Sequence, residues 1–116
     1  MITQTTATLN HDQLDTLLCS AFEGGSNYWI HKVTEIYPPE NKDAYFHAVC
    51  LEGGAVEIMD IDGDKYPLDA KALHRGAEAF VAQAPEQYAA ILNGQDDAIT
   101  GDVFLQCCLY GKTVWG

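Results

Sequence analysis

Seven consecutive residues hold most of the side-chain chemistry in this chain: Glu23-Gly24-Gly25-Ser26-Asn27-Tyr28-Trp29. They offer a carboxylate, a hydroxyl, an amide and two aromatic rings. Tyr28 or Trp29 could stack on a flat ligand such as a nucleotide base. Ser26, Asn27 and the glycine amides could hold its polar groups. Glu23, Ser26, Asn27, Tyr28 and Trp29 are therefore a candidate ligand-binding set. An anionic ligand would also need cations, and only Lys32 is near in sequence. The competing reading is structural. Paired glycines stop a helix, Asn27 supplies a turn amide, and aromatics after a turn pack.

Other residues with reactive potential lack partners at useful spacing. Asp60-Ile61-Asp62-Gly63-Asp64 brings three carboxylates together. A calcium loop of the EF-hand type places glycine sixth and a glutamate twelfth, and this run does neither. Asp-Gly at a hairpin tip accounts for it without a metal. His11, His31, His47 and His74 are dispersed, with no zinc spacing. Cys19, Cys50, Cys107 and Cys108 sit in or beside apolar runs, and a reactive thiol wants an electropositive niche. No catalytic residue, metal site or cofactor is expected.

Charge narrows the partners. Seventeen acidic residues face six basic ones, for a net charge of −11. Such a chain repels phosphate backbones and anionic membranes, which argues against direct nucleic-acid or membrane binding. It is drawn instead to basic protein surfaces, including the nucleic-acid channels of other proteins. Asp60, Asp62 and Asp64 at a loop tip, with Asp96 and Asp97 before the last helix, are the candidate partner-binding carboxylates.

The elements that must position these groups follow from periodicity. The pattern predicts one α+β domain over residues 1–116. It has a small antiparallel sheet of three to five strands, with three or four helices mainly on one face. Residues 2–9 read as an edge strand. Asn10 and Gln13 form a capping box for a helix with Leu14, Leu17, Leu18, Ala21 and Phe22 on one face, ended by Gly24. Strands are expected at 28–37 and 55–61, the latter returning through 64–67 after Asp62-Gly63. Residues 44–51 fit either a short helix or a strand. Asp69 caps a helix carrying Leu73, Ala77, Phe80 and Val81. Pro85 opens another, with Tyr88, Ile91 and Leu92. The last helix runs to Tyr110 with Val103, Phe104, Cys107 and Cys108 inward, and Thr113-Val114-Trp115 is expected to add a short strand. Leu14, Leu18, Phe22, Leu73, Phe80, Phe104 and Cys108 are the expected core. No leader segment or membrane span is apparent, and reduced thiols fit a cytoplasmic protein.

The junction Glu23–Trp29, the run Asp102-Val103-Phe104-Leu105-Gln106, and the aromatic-glycine pairs Tyr110-Gly111 and Trp115-Gly116 together resemble a family of small acidic phage and prophage proteins. Its members share an EGG-x-x-YW junction. The resemblance covers both ends and the helix from Asp69 to Val81, and leaves residues 38–54 outside it. It carries over no catalytic residue. It implies an accessory viral protein acting in the cytoplasm of a bacterial host cell. The expected function is inhibition of a host defence system, of the anti-CRISPR type, by binding a basic host protein or complex through carboxylates. The alternative is a small-molecule binder, a sponge for a nucleotide signal, using Glu23–Trp29.

Overall fold

The computed structural model describes residues 9–116. The edge strand expected over 2–9 lies outside them except for Leu9, which is buried.

Helix α1 spans His11–Ser20. Asn10 and Gln13 close the expected capping box, each side chain 2.9 Å from the other's backbone nitrogen. The helix does not stop cleanly at Gly24. It widens into a π-turn over Ala21–Gly25, in which Ser26 N–H reaches Ala21 C=O at 2.9 Å. Phe22 falls in that turn and not in α1. It is partly buried at the rim of the core rather than inside it.

Residues 26–29 then form a turn, not a strand. The N–H groups of Trp29 and Ile30 both return to Ser26 C=O at 3.1 Å. Strand β1, Ile30–Tyr37, begins after it. The ambiguous segment at 44–51 is a 3-10 helix, Phe46–Glu52, which ends at Gly53 in the left-handed region (φ 85°). Strands β2 (Ala55–Asp60) and β3 (Lys65–Leu68) form the expected hairpin around Asp62-Gly63, with Gly63 at φ 88°. The sheet is antiparallel in the order β1-β2-β3.

Pleating sorts the strand residues. Val56, Ile58 and Asp60 point inward, with Val33, Tyr66 and Leu68 beside them. Lys32, Thr34, Lys65 and Pro67 lie exposed on the other face, flanking Glu57 and Met59. Among the described residues the helices cover one face only, so the fold is α+β with a small sheet.

Helix α2 runs Ala70–Gln83, α3 Pro85–Leu92 and α4 Ala98–Tyr110. Asp69 caps α2, and Leu68 and Leu73 are both buried as a hydrophobic staple requires. Asp97 and Thr100 form a capping box on α4. α3 packs loosely: Tyr88 and Ile91 are partly buried, and Leu92 is exposed.

Helix α4 is the central element, packed by α1 and α2. Two glycines let the backbones approach. A Cβ on Gly76 would strike Cys108, and one on Gly101 would stand 2.6 Å from Leu17 O. Around α4 gather Leu14, Leu18, Leu73, Phe80, Phe104 and Cys108, all buried as expected, with Phe80 and Phe104 edge-to-face at 5.6 Å. The final residues do not add a strand. They lie outside the sheet, held by a side chain of α4.

Candidate functional site: a buried carboxylate network

Polar residues interrupt the apolar helix α4 at Asp102 and Gln106, one turn apart. Both face inward, and Gln106 is fully buried. A buried carboxylate is costly unless donors surround it. Asp102 has four. Its Oδ1 accepts from Ser26 Oγ and Trp29 Nε1, each at 2.7 Å, and from Gln106 Nε2 at 3.1 Å. Its Oδ2 accepts from the Tyr28 hydroxyl at 2.6 Å. The turn after α1 exists to deliver these three donors to one point on α4. Gly25 permits this, because a Cβ there would collide with Ala98 O at the start of α4.

Gln106 passes the network on. Its Oε1 accepts from Val114 N at 2.7 Å and Trp115 N at 2.8 Å. The closing segment is thus held by one side chain, which satisfies its amides in place of a sheet edge. Trp115 lies nearly parallel to Trp29 at 6.4 Å, and its Nε1 donates to the Tyr110 hydroxyl at 3.1 Å. Tyr110 in turn donates to Asp60 Oδ2 at 2.7 Å, and its ring meets Tyr66 edge-on at 4.8 Å.

That last bond corrects one site assignment. Asp60 is 2% exposed and points into the fold. Its Oδ1 accepts the backbone N–H groups of Asp62 and Asp64, each at 3.0 Å. It shapes the hairpin tip and offers no charge to a partner. Asp62 and Asp64 are exposed there. Asp97 is exposed and Asp96 partly so, at the other end of α4. Asp96 and Asp97 precede the 13-residue helix, whereas Tyr110 at its end holds Asp60 beneath the hairpin tip. Glu23, also exposed, lies at the Asp97 end, because Gly25 packs on Ala98.

The candidate ligand set is likewise divided. Ser26 and Trp29 are fully buried, and their donors are taken up by Asp102. Glu23 and Asn27 are exposed. Tyr28 does both, with the residue 52% exposed and its hydroxyl anchored. The members that sequence reasoning missed are Asp102, Gln106, Tyr110 and Trp115. Two polar residues at i and i+4 on the buried face of an apolar helix were the available signal.

Burial, and then the hydrogen bond to Asp102, push the Tyr28 phenol up to about 12. The Tyr110 phenol is raised above its ordinary value by burial and by Asp60, against the opposing Trp115 donor. Both are proton donors at neutral pH. The buried thiols of Cys50, Cys107 and Cys108 are all raised by burial. Phenols whose protonated form is favoured by folding support the fold fully below pH 10. That support is lost as pH rises from about 10, the unfolded value, through the folded value near 12 for Tyr28. Phenolate absorbance should therefore show late-titrating tyrosines, with unfolding in the same window. Tyr28→Phe should remove one of them. Six tyrosines titrating together near pH 10 in the folded protein would contradict the geometry.

Among the described residues, no group of three His, Cys, Asp or Glu could hold a metal ion, and no helix is long and apolar enough to cross a membrane. No family model, curated protein or solved structure matches this chain.

Proposed function

We propose that this protein is a non-catalytic inhibitor that occupies a basic, nucleic-acid-binding surface of another protein. In its concrete form it is a phage-encoded anti-CRISPR protein acting in the host cytoplasm. One observation carries the reading. Fifteen of the seventeen carboxylates, all but Asp60 and Asp102, reach the surface. Among the described residues none pairs with a lysine or arginine, since both ion pairs within 4.0 Å use histidine. The exposed charge is left uncompensated, which favours attraction to an opposite surface over internal stability.

The hairpin tip is the best-formed contact point. Asp60 holds the backbone from within, so Asp62 and Asp64 project from a preorganised loop. Ordering such a loop on binding costs little. The small-molecule alternative has less support, because Ser26 and Trp29 are committed to Asp102.

The test is affinity capture from bacterial lysate at two ionic strengths, with the Asp62→Lys/Asp64→Lys chain as control. The reading expects a nucleic-acid-binding protein retained at low salt, released as the screening length falls below about 8 Å, and lost with the control. Retention that ignores salt and both substitutions would overturn it.

A further inference from the structure

A second concave site lies apart from the hairpin tip and from the Asp102 network. Its volume is about 820 Å³, within the size range of small-ligand sites. Its walls come from three places: the end of β1 with the loop after it (Tyr37, Glu40), the end of the 3-10 helix (Cys50 to Gly54), and the start of α2 (Asp69 to Lys71).

Local backbone geometry holds the walls together. Glu40 N–H donates to Glu52 C=O at 2.7 Å, which ties the loop to the 3-10 helix. Gly54 lets Tyr37 and Pro38 lie against it, since a Cβ there would stand 2.6 Å from Tyr37 O. The Glu40 side chain crosses Gly53, with its Oε2 3.8 Å from where a Cβ would be.

Charge selects the occupant. Glu40, Glu52 and Asp69 face one lysine, Lys71. Neither the Glu40 nor the Glu52 carboxylate meets a hydrogen-bond or ion-pair partner among the described residues. The start of α2 does not offset them for an anion, because Asp69 already accepts the Ala72 N–H at 2.9 Å. The carboxylates do not converge as a metal would require. An organic cation, with its charge carried on a stem, needs no such convergence. Tyr37, 68% exposed, adds an aromatic ring to the lining, and Cys50 and Leu51 add apolar surface for the stem.

We infer that this cleft binds an organic cation, an ammonium or guanidinium carried on an alkyl stem. Two sources present that chemistry: a free polyamine, and a lysine or arginine side chain of another protein. The inference is independent of the inhibitor reading, because it concerns a different face and is read by direct binding.

The test is amide NMR titration with spermidine in one arm and a capped Gly-Arg-Gly peptide in the other. Expected are saturable shifts at residues 52–54 and 69–71, with little change at 62–64. Glu40→Gln/Glu52→Gln should weaken binding at least tenfold, and Tyr37→Ala about fivefold through the lost ring contact. Asp62→Asn/Asp64→Asn should leave it unchanged. Saturation by spermidine alone assigns a free polyamine, and by the peptide alone a protein side chain. Either supports the site. No saturation by either probe, equal shifts at the hairpin tip, or unchanged affinity in Glu40→Gln/Glu52→Gln would overturn it.

Discussion

Asp102→Ala should be the most destabilising single substitution at the network, by on the order of 3–5 kcal/mol. The carboxylate satisfies Ser26, Trp29 and Gln106, all fully buried, as well as Tyr28. Removing it leaves the Ser26 and Trp29 donors without an acceptor, at about 1–3 kcal/mol each before relaxation, while Gln106 keeps the Trp115 carbonyl at 3.3 Å. Small domains have about 5–15 kcal/mol in total, so much of the folded population is at stake. Asp102→Asn should cost less. Its carbonyl can still serve the Ser26 and Trp29 donors, and the Tyr28 hydroxyl can turn to accept. Urea unfolding followed by tryptophan fluorescence reads this directly, since the only two tryptophans, Trp29 and Trp115, both belong to the cluster. A loss under about 1 kcal/mol for Asp102→Ala, the level of an ordinary surface change, would mean the network is not holding the turn to α4.

The second large effect is on binding. Reversing Asp62, Asp64 and Asp96 to lysine, with Asp97→Asn, removes both candidate carboxylate pairs. Asn at 97 is chosen because it still caps α4, whereas lysine would cost about 1 kcal/mol of stability. Exposed charges contribute about 0.2–1 kcal/mol each in such contacts. Four changes should therefore weaken a basic partner by roughly fourfold to several hundredfold, mainly through association rate. Melting temperature should move little, because none of these side chains is buried. Equal affinity for the variant would place the contact elsewhere. A collapsed melting temperature would show that the tip depends on more than Asp60.

How much of this was legible in the chain depends on distance along it. The capping box at Asn10, the staple at Leu68 and Leu73, and the hairpin at Asp62-Gly63 involve neighbours within a few residues, and the structure contains each. Asp60 was legible too. It follows Val56 and Ile58 at a period of two, which places it on the buried face of β2. Reading the run as a loop tip hid that alternation. Of the Asp102 network only the pair Asp102 and Gln106 was legible, because the other three donors stand 73 to 76 residues away. Nothing local shows that the turn after α1 lands on α4. The closing strand failed for a related reason. Val114 and Trp115 have strand-like side chains, but Gln106 takes up their amides, so no sheet edge is needed.

Competition tests the central claim most directly. A purified CRISPR effector complex would be bound to labelled target DNA, and this chain added across a range of salt. Displacement of the DNA should occur at low salt, weaken as salt rises, and be lost with the variant reversed at Asp62, Asp64 and Asp96. DNA binding left unchanged at every salt concentration, with the protein folded throughout, would contradict the inhibitor reading.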